Sequence, residues 1–311
     1  MEGVVDHHFR TLYSEIGGID VCVSEFMRVN DLPVPRRTFL RDCQELNNPG
    51  LSTTPNGTPV RIQLLGSNPD TMAESAATAV SLGASAIDLN FGCPAKTVNN
   101  SRGGAILLKD SKLVGDIVRA VRAAVPDNAP VTAKMRLGFE DRSLYMENAL
   151  AIAEAGATEL FVHARSKADA YNPPAYWSCL RDINEQLHIP VIANGEIWNV
   201  QDWHQCQQES GCEDFMLGRG LIACPDLALQ IRAAAEQSDY QVLSWALVTR
   251  LLWRFYLETK DAYPQRFLGN RVKQWLFYLQ MHYPEAGPFF LHVKRFKEQE
   301  QFNAAFATLP G

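Results

Sequence analysis

Short apolar runs alternate along this chain with alanine-rich segments that have helical periodicity. The runs recur at intervals of about 25–45 residues. Several helical segments end in a glycine just before the next run, as at Gly83, Gly156 and Gly211, which is a common helix ending. This alternation is typical of βα units and predicts a parallel sheet covered by helices. The apolar runs lie at residues 21–23, 60–65, 86–90, 131–135, 159–163, 190–194 and 214–217.

The number of apolar runs limits which kinds of parallel sheet this chain can form. Seven are visible, whereas a closed (β/α)8 barrel needs eight strands. A first helix is predicted from Asp6 to Ile16, with no strand before it. We therefore predict a TIM (β/α)8 barrel whose first strand is missing from this chain, with an open sheet as the alternative. If the barrel prediction holds, we expect the native protein to start upstream of Met1 with a short apolar strand.

The alternation ends near residue 236, and the rest of the chain has helical periodicity only. We predict a barrel domain over residues 1–236 and a small all-helical domain over residues 241–311, with helices at 243–259, 270–282 and 289–306. Residues 241–311 hold nine Lys and Arg against five Asp and Glu, and 15 of the 30 aromatic residues. This composition predicts a polyanion site. The aromatic residues recur at helical spacings, which favours their packing as the core of the helices.

Composition excludes several classes of protein. The net charge is −6, and no apolar stretch approaches the roughly 18 residues of a membrane span. The amino terminus does not resemble a signal peptide. None of the seven cysteines forms a CxxC pair or has zinc-finger spacing to histidines. These features predict a cytoplasmic protein with reduced thiols and no metal.

Polar residues stand at the carboxyl ends of almost all the predicted strands. In a barrel these positions converge on one pocket, and active sites lie on that face. A single residue of this kind has ordinary explanations, such as a solvated sheet edge or a hydrogen-bonded core histidine, but the repetition favours a site. The residues are Gln63, Asn90, Lys134, Arg136, His163, Arg165, Asn194 and Glu196.

Two glycine-containing loops follow the last two predicted strands. One carries Asn194, Gly195 and Glu196, and the other carries Gly218 and Arg219. Loops after strands 7 and 8 are the usual phosphate site of a barrel, because backbone N–H groups there can approach an anion. With Lys134, Gln63 and His163 deeper in the pocket, the set predicts a site for flavin mononucleotide (FMN).

The third predicted strand continues into a loop, and the sequence across this junction reads Asp-Leu-Asn-Phe-Gly-Cys-Pro from Asp88 to Pro94. Cys93 follows a strand end directly, which favours a functional thiol over a buried structural one. A cysteine thiol is mostly protonated at pH 7 and can act as a general acid.

Five segments together resemble the tRNA-dihydrouridine synthase family, and the likeness covers essentially the whole chain. The segments are DLNFGCPAKTVNNSRGGAILLKD, AKMRLG, VHAR, IANGEI and MLGRG. Met1-Glu2-Gly3 resembles the end of the family's APMxG flavin motif. The segments Ser24–Val29 and Arg271–Leu276 are similar to the bacterial C subfamily, which acts on position 16 of the tRNA D-loop.

The resemblance implies an FMN enzyme that reduces a uridine in tRNA to 5,6-dihydrouridine and is reloaded by NADPH. Hydride from flavin N5 would reach C6 of the base, and Cys93 would give a proton to C5. We expect a monomer. The alternatives are a flavin barrel acting on a small pyrimidine or conjugated carbonyl, and an RNA-binding protein without catalysis. The resemblance makes residues 1–236 the FMN-binding catalytic domain and residues 241–311 the tRNA-binding domain. The implied FMN-binding residues are Met1, Gly3, Gln63, Lys134, His163, Asn194, Gly195, Glu196, Gly218 and Arg219, and the implied tRNA-binding residues are Arg28, Asn90, Lys96, Arg271 and Lys273.

Overall fold

A computed structural model describes residues 3–48 and 50–309 of the chain. It contains a curled parallel sheet surrounded by helices, which is the TIM-barrel architecture expected from the sequence, followed by a helical carboxyl-terminal region. The strands of the described residues are β1 Cys22–Val23, β2 Met27–Arg28, β3 Val60–Leu65, β4 Ile87–Phe91, β5 Val131–Arg136, β6 Glu159–His163, β7 Val191–Asn194 and β8 Asp214–Met216.

The strand order follows the chain. It runs β1-β3-β4-β5-β6-β7-β8, and β2 also pairs with β3. Since β4 occupies the other edge of β3, the two short strands β1 and β2 lie one after the other along the same edge. They supply one barrel position, so the sheet has the seven positions expected from the sequence. No pairing between described residues joins β8 to β1.

Most helices of the barrel region pack against the outer face of this sheet. The helices Pro69–Ser81, Ser111–Ala124 and Val200–Ser210 begin at Asn68, Asp110 and Asn199, whose side chains accept hydrogen bonds from backbone N–H groups of the first turn. The helices are α1 His7–Ile16, α2 Arg36–Asp42, α3 Pro69–Ser81, α4 Lys96–Asn100, α5 Ser111–Ala124, α6 Tyr145–Glu154, α7 Trp177–Gln186, α8 Val200–Ser210, α9 Arg219–Ala223 and α10 Leu227–Glu236, with 3-10 helices at Gln44–Asn47 and Gly104–Lys109.

Four further helices form the carboxyl-terminal region. The sequence predicts one helix over residues 289–306, whereas the structure has two. The helix is interrupted between Lys294 and Glu298. The backbone there leaves helical geometry, and Glu298 begins the next helix with a capping box. The helices are α11 Trp245–Thr259, α12 Asn270–Leu279, α13 Ala286–Val293 and α14 Gln299–Phe306, and a 3-10 helix covers Gln265–Phe267.

Two hydrophobic cores hold the molecule together. The first lies between the sheet and its helices. The second is formed by α11 to α14 and also takes Phe9, Leu12 and Tyr13 from α1 and Ile222 from α9. The Trp275 indole donates a hydrogen bond to the Ile222 carbonyl at 3.1 Å. The helical region is therefore packed directly against α9, the helix that follows β8. The boundary at residues 236–241 stays a prediction.

Candidate active site

Strand register brings the polar strand-end residues together at the carboxyl edge of the sheet. Asn90 of β4 is paired with Lys134 of β5, and His163 of β6 is paired with Asn194 of β7. Gln63 of β3 is paired with Asp88 of β4. Because neighbouring parallel strands lie about 4.8 Å apart, these side chains line one continuous edge.

Gln63 is hydrogen-bonded to two residues of the neighbouring strand β4. Its amide nitrogen donates to Asp88 at 2.7 Å, and its amide oxygen accepts from Asn90 at 2.8 Å. Asp88 also accepts a hydrogen bond from the Thr132 hydroxyl at 2.6 Å. Burial raises the pKa of Asp88, and these two hydrogen bonds partly offset the rise. Sequence analysis did not single out the Asp88–Thr132 pair, which fixes Gln63 in place.

Asn90 fixes the loop that carries Cys93. Its side-chain oxygen accepts hydrogen bonds from the backbone N–H groups of Gly92 and Cys93, both at 3.0 Å. Asn99 supports the same loop from the other side, since its amide nitrogen donates to the Cys93 carbonyl at 3.0 Å. Cys93 itself is half-buried and free. The backbone around the thiol is thus held by two asparagine side chains, of which sequence analysis identified only Asn90.

We expect Asn90→Ala to loosen this loop and to slow turnover without removing the thiol. Two backbone N–H groups would lose their acceptor, and each unmade hydrogen bond costs about 1–3 kcal/mol when the donor is buried. Asn90→Asp keeps the acceptor and, like the alanine variant, loses the hydrogen bond that Asn90 donates to Gln63, so the difference between the two variants reports the acceptor. Turnover rates of both variants check this, and an alanine variant as fast as the aspartate variant would contradict it.

Lys134 lies at the centre of the pocket. Its ammonium donates to the Asn194 side-chain oxygen at 2.8 Å, and the Asn194 amide nitrogen donates to the Met216 carbonyl at 2.7 Å. Burial and the nearby Arg136 lower the pKa of Lys134 to about 7, against the attraction of Asp88. A lysine with this pKa is ready to bind an electron-rich group that would favour its charged form.

His163 is buried in the site, with 7% of its surface exposed. Its Nε2 atom is buried and has no hydrogen-bond partner among the described residues. Burial and the cations around it, Lys134 first among them, hold the pKa of His163 far below its usual range. Gly195 packs against this ring in a left-handed conformation (φ +109°), and a β-carbon there would lie 2.7 Å from the imidazole. A neutral imidazole therefore offers Nε2 to whatever the pocket binds.

An ion-pair network joins the segments that follow β6, β7 and β8. Arg165, which is fully buried, donates to Glu196 at 2.6 Å, and Arg219 lies 3.9 Å from the same carboxylate. Glu196 has a positive φ of 64°, which is uncommon for a residue with a side chain. Gly220 allows the loops to approach, because a β-carbon there would lie 2.0 Å from the Ile197 carbonyl oxygen. Arg219 follows Gly218 at the first position of α9.

Tyr171 lies beside the site at its open side, and sequence analysis did not identify it. It lies on the long loop between β6 and α7, and 48% of its surface is exposed. The Arg136 and Arg219 guanidinium groups lie 5.2 and 4.4 Å from its ring centroid. Arg136 in turn donates to the Gly92 carbonyl at 2.9 Å. The position of this aromatic ring between two arginines had no sequence signal, because nothing in the 13-residue loop marks which residue contacts the site.

Apart from Asn90, which holds the Cys93 loop, the residues predicted to bind tRNA divide into two groups. Arg28 and Lys96 are exposed and make no side-chain hydrogen bond or ion pair in the described part of the chain. Arg271 bonds Asp6 at 2.8 Å and the Val4 carbonyl at 2.9 Å. Lys273 donates to the Phe296 carbonyl at 2.7 Å. The last two side chains thus have structural partners, and their contact with tRNA stays a prediction.

The amino terminus lies against the helical region. Gly3 has a positive φ of 70°, and its carbonyl accepts a hydrogen bond from Gln274 of α12 at 2.6 Å. The prediction that Met1 binds FMN concerns a residue outside the described ranges. Within those ranges, no helix is both long and apolar enough to cross a bilayer, and no three His, Cys, Asp or Glu side chains are arranged to hold a metal ion.

A curled parallel sheet with a thiol and a cationic pocket at its carboxyl edge defines a barrel enzyme. Residues 1–305 match the family model described as Dihydrouridine synthase (Dus). The chain belongs to the dihydrouridine synthase family. Membership also means that the chain is an oxidoreductase.

Similar proteins of known name share most of their length with this chain. A tRNA-dihydrouridine(16) synthase of Shewanella oneidensis is 50% identical over 301 residues, covering 97% of this chain and 93% of that protein. One from Pseudomonas putida is 50% identical over 295 residues, covering 95% and 91%. Histamine dehydrogenase from Rhizobium sp. 4-9 shares the fold at 15% identity, with a TM-score of 0.54 over 76% of this chain and 45% of that chain.

Proposed function

We propose that this protein reduces uridine 16 of tRNA to 5,6-dihydrouridine, using FMN that NADPH reduces. The observation that carries the proposal is the position of Cys93, on a loop clamped by Asn90 at the edge that also presents Lys134 and His163. The names of the relatives support uridine 16 as the target. All seven cysteines are free, which agrees with a cytoplasmic enzyme.

The pocket fits FMN by the chemistry of its donors. The unpartnered His163 Nε2 and the Lys134 ammonium suit the electron-rich pyrimidine edge of a flavin. Arg219, beside Gly218, supplies the charge that a phosphate group requires at the loops after β7 and β8. Asn194 orients Lys134, and Gly195 orients His163. When bound, FMN supplies the hydride that is added to C6 of the uracil ring.

The residues of this chain would handle the proton. Addition of hydride at C6 leaves negative charge at C5 and on the neighbouring carbonyl oxygen of the base. The Cys93 S–H bond breaks, its proton forms the new C5–H bond, and the thiolate takes a proton from solvent before the next turn. Asn90 and Asn99 hold the Cys93 backbone during this transfer.

The test is reduction of an unmodified tRNA transcript by the purified holoenzyme with NADPH. We expect dihydrouridine at position 16 and no product from a transcript that has cytidine at that position. Free uracil tests for a small-molecule enzyme, and its reduction in preference to tRNA would overturn the proposal. Tight binding of tRNA without its reduction would instead support the alternative of an RNA-binding protein without catalysis.

A further inference from the structure

Arg136 is a buried cation of the site to which the proposed function gives no role. It is the last residue of β5, and 2% of its surface is exposed. Buried cations are normally paired with a carboxylate. In the part of the chain that the structure describes, Arg136 bonds to three backbone carbonyls and to no carboxylate. Burial lowers its pKa, and the Tyr171 phenol partly offsets the fall.

The three carbonyls belong to two different loops of the site. Arg136 Nε donates at 2.9 Å to the carbonyl of Gly92, the residue before Cys93. Its Nη1 donates at 3.1 Å to the Ser166 carbonyl and at 3.0 Å to the carbonyl of Ala170, the residue before Tyr171. We call these bonds the Arg136 clamp. The clamp joins the Cys93 loop, residues 92–103, to the Tyr171 loop, residues 164–176.

The clamp attaches the Cys93 loop to the neighbouring strand. The N–H and C=O groups of both Gly92 and Cys93 are hydrogen-bonded. Asn90 and Asn99 bond three of these groups and belong to the same segment of the chain, so their bonds fix the internal shape of the loop. The fourth bond comes from Arg136, 44 positions away in the sequence. It therefore fixes where the loop lies against β5.

The Tyr171 loop is shaped to reach the same guanidinium group. Ala170 has a positive φ of 53°, which is uncommon for a residue with a side chain, and in this conformation its carbonyl meets Arg136. Asp169 closes the same turn, because its carboxylate accepts hydrogen bonds from the Ser166 N–H and hydroxyl groups, both at 2.8 Å. The loop therefore presents two fixed carbonyls to one side chain.

We propose that Arg136 is a positioning residue for the proton transfer from Cys93, which it holds in place by clamping the Cys93 loop to the Tyr171 loop. The proposal rests on the function proposed above. A planar guanidinium has N–H donors in fixed directions and can bridge three carbonyls, whereas the compact ammonium of a lysine cannot reach both loops. A displacement of about 1 Å can cost 100-fold in rate, so a loosened clamp should slow the transfer although the thiol is intact.

The first test compares Arg136→Lys with Arg61→Lys in the full-length holoenzyme. Arg61 is also a strand arginine with a mostly buried side chain, but it pairs at 2.5 Å with Glu159, the first residue of β6, so its change controls for lost stability. We expect Arg136→Lys to slow single-turnover reduction of saturating tRNA by about 10- to 100-fold, with flavin reduction by NADPH unchanged. Arg61→Lys should keep both rates. An equal loss in the two variants would overturn the positioning role.

The second readout does not require tRNA reduction. Arg136→Lys keeps the positive charge, so a change in the alkylation rate of Cys93 by iodoacetamide reports movement of its loop. We expect faster alkylation of Cys93, with Cys179 as the internal reference, and faster amide hydrogen exchange in both loops of the clamp. Faster exchange in one loop only would overturn the clamp.

A variant of the Tyr171 loop tests the clamp even if Arg136→Lys does not fold. Ala170 is exposed, and proline there would require a φ of about −65° and turn the carbonyl away from Arg136. Ala170→Gly allows the positive φ and is the matched control. We expect Ala170→Pro, and not Ala170→Gly, to speed hydrogen exchange in the Cys93 loop, which is distant in the sequence. Equal exchange there in the two variants would contradict the clamp.

The two proposals fail in different ways. If the wild type reduces tRNA and Arg136→Lys does so at the same rate, the positioning role is wrong and the proposed function stands. If the wild type does not reduce tRNA, the proposed function fails, while alkylation and hydrogen exchange still test the clamp.

Discussion

Cys93→Ala should retain FMN and accept hydride from NADPH at the wild-type rate, yet reduce tRNA about 100- to 10,000-fold more slowly, the range typical of a lost general acid. The Cys93 backbone is held by Asn90 and Asn99, so removal of the thiol should leave the loop in place. The measurement is single-turnover formation of dihydrouridine by the pre-reduced enzyme.

The matched control for this prediction is Cys179→Ala. Cys179 is a free, half-buried cysteine on α7, outside the pocket, so its removal should not change either half of the reaction. A Cys93→Ala enzyme that reduces tRNA at the wild-type rate would remove Cys93 from the mechanism. Loss of flavin from that variant would instead show that the loop, rather than the thiol, is needed.

Lys134→Met should lose most of its affinity for FMN. The ammonium is held by Asn194 in the centre of the pocket, where it would meet the electron-rich edge of the flavin. Methionine fills a similar volume without charge, so the change tests the cation rather than the space. Titration of apoprotein with FMN, followed by quenching of flavin fluorescence, measures the effect, and Lys112→Met is the exposed control.

The pH dependence follows from the pKa of Lys134, which is about 7 in the protein without flavin. A flavin that favours the charged lysine raises this pKa on binding. FMN affinity should therefore be constant below pH 7 and fall by up to tenfold per pH unit above it. Lys134→Met should bind weakly at every pH. A wild-type affinity that does not change between pH 6 and 9 would contradict the role of Lys134.

The stability of the apoprotein gives a second readout for Lys134 that is independent of flavin. Between pH 7 and about 10.4 the unfolded chain holds a proton on this lysine that the folded protein has released. The unfolding free energy should therefore rise with pH in that window, by up to about 1.4 kcal/mol per pH unit from this group. Lys134→Met should lack this contribution in chemical denaturation at pH 7 and pH 9.

The sequence predicted the barrel because buried parallel strands need continuous apolar runs, and the runs at residues 60–65 and 131–135 correspond to the strands Val60–Leu65 and Val131–Arg136. Two elements had too little signal. The two-residue strand Met27–Arg28 is defined only by its pairing with β3. Helix Trp177–Gln186 is mostly polar, and its few buried residues, such as Leu180, meet the barrel core only in the folded protein.

The strand-end residues of the site were also predictable, since their place along each strand fixes the edge they reach. Partners far apart in the chain were not. Arg165 and Glu196 are separated by 31 residues, and the register of β6 and β7 brings their loops together. Tyr171 reaches the mouth through the fold of a loop. Arg271 was predicted to bind tRNA, but in the structure it bonds Asp6 and Val4. These bonds depend on the packing of the amino terminus against α12, which the sequence does not show.

Position-by-position mapping of dihydrouridine in the tRNA of a strain that lacks this gene tests the central claim most directly. We predict that dihydrouridine disappears from position 16 and persists at other positions. The wild-type gene should restore it, and the Cys93→Ala gene should not. Unchanged dihydrouridine at position 16 in the deletion strain, or loss at another position only, would contradict the proposed function.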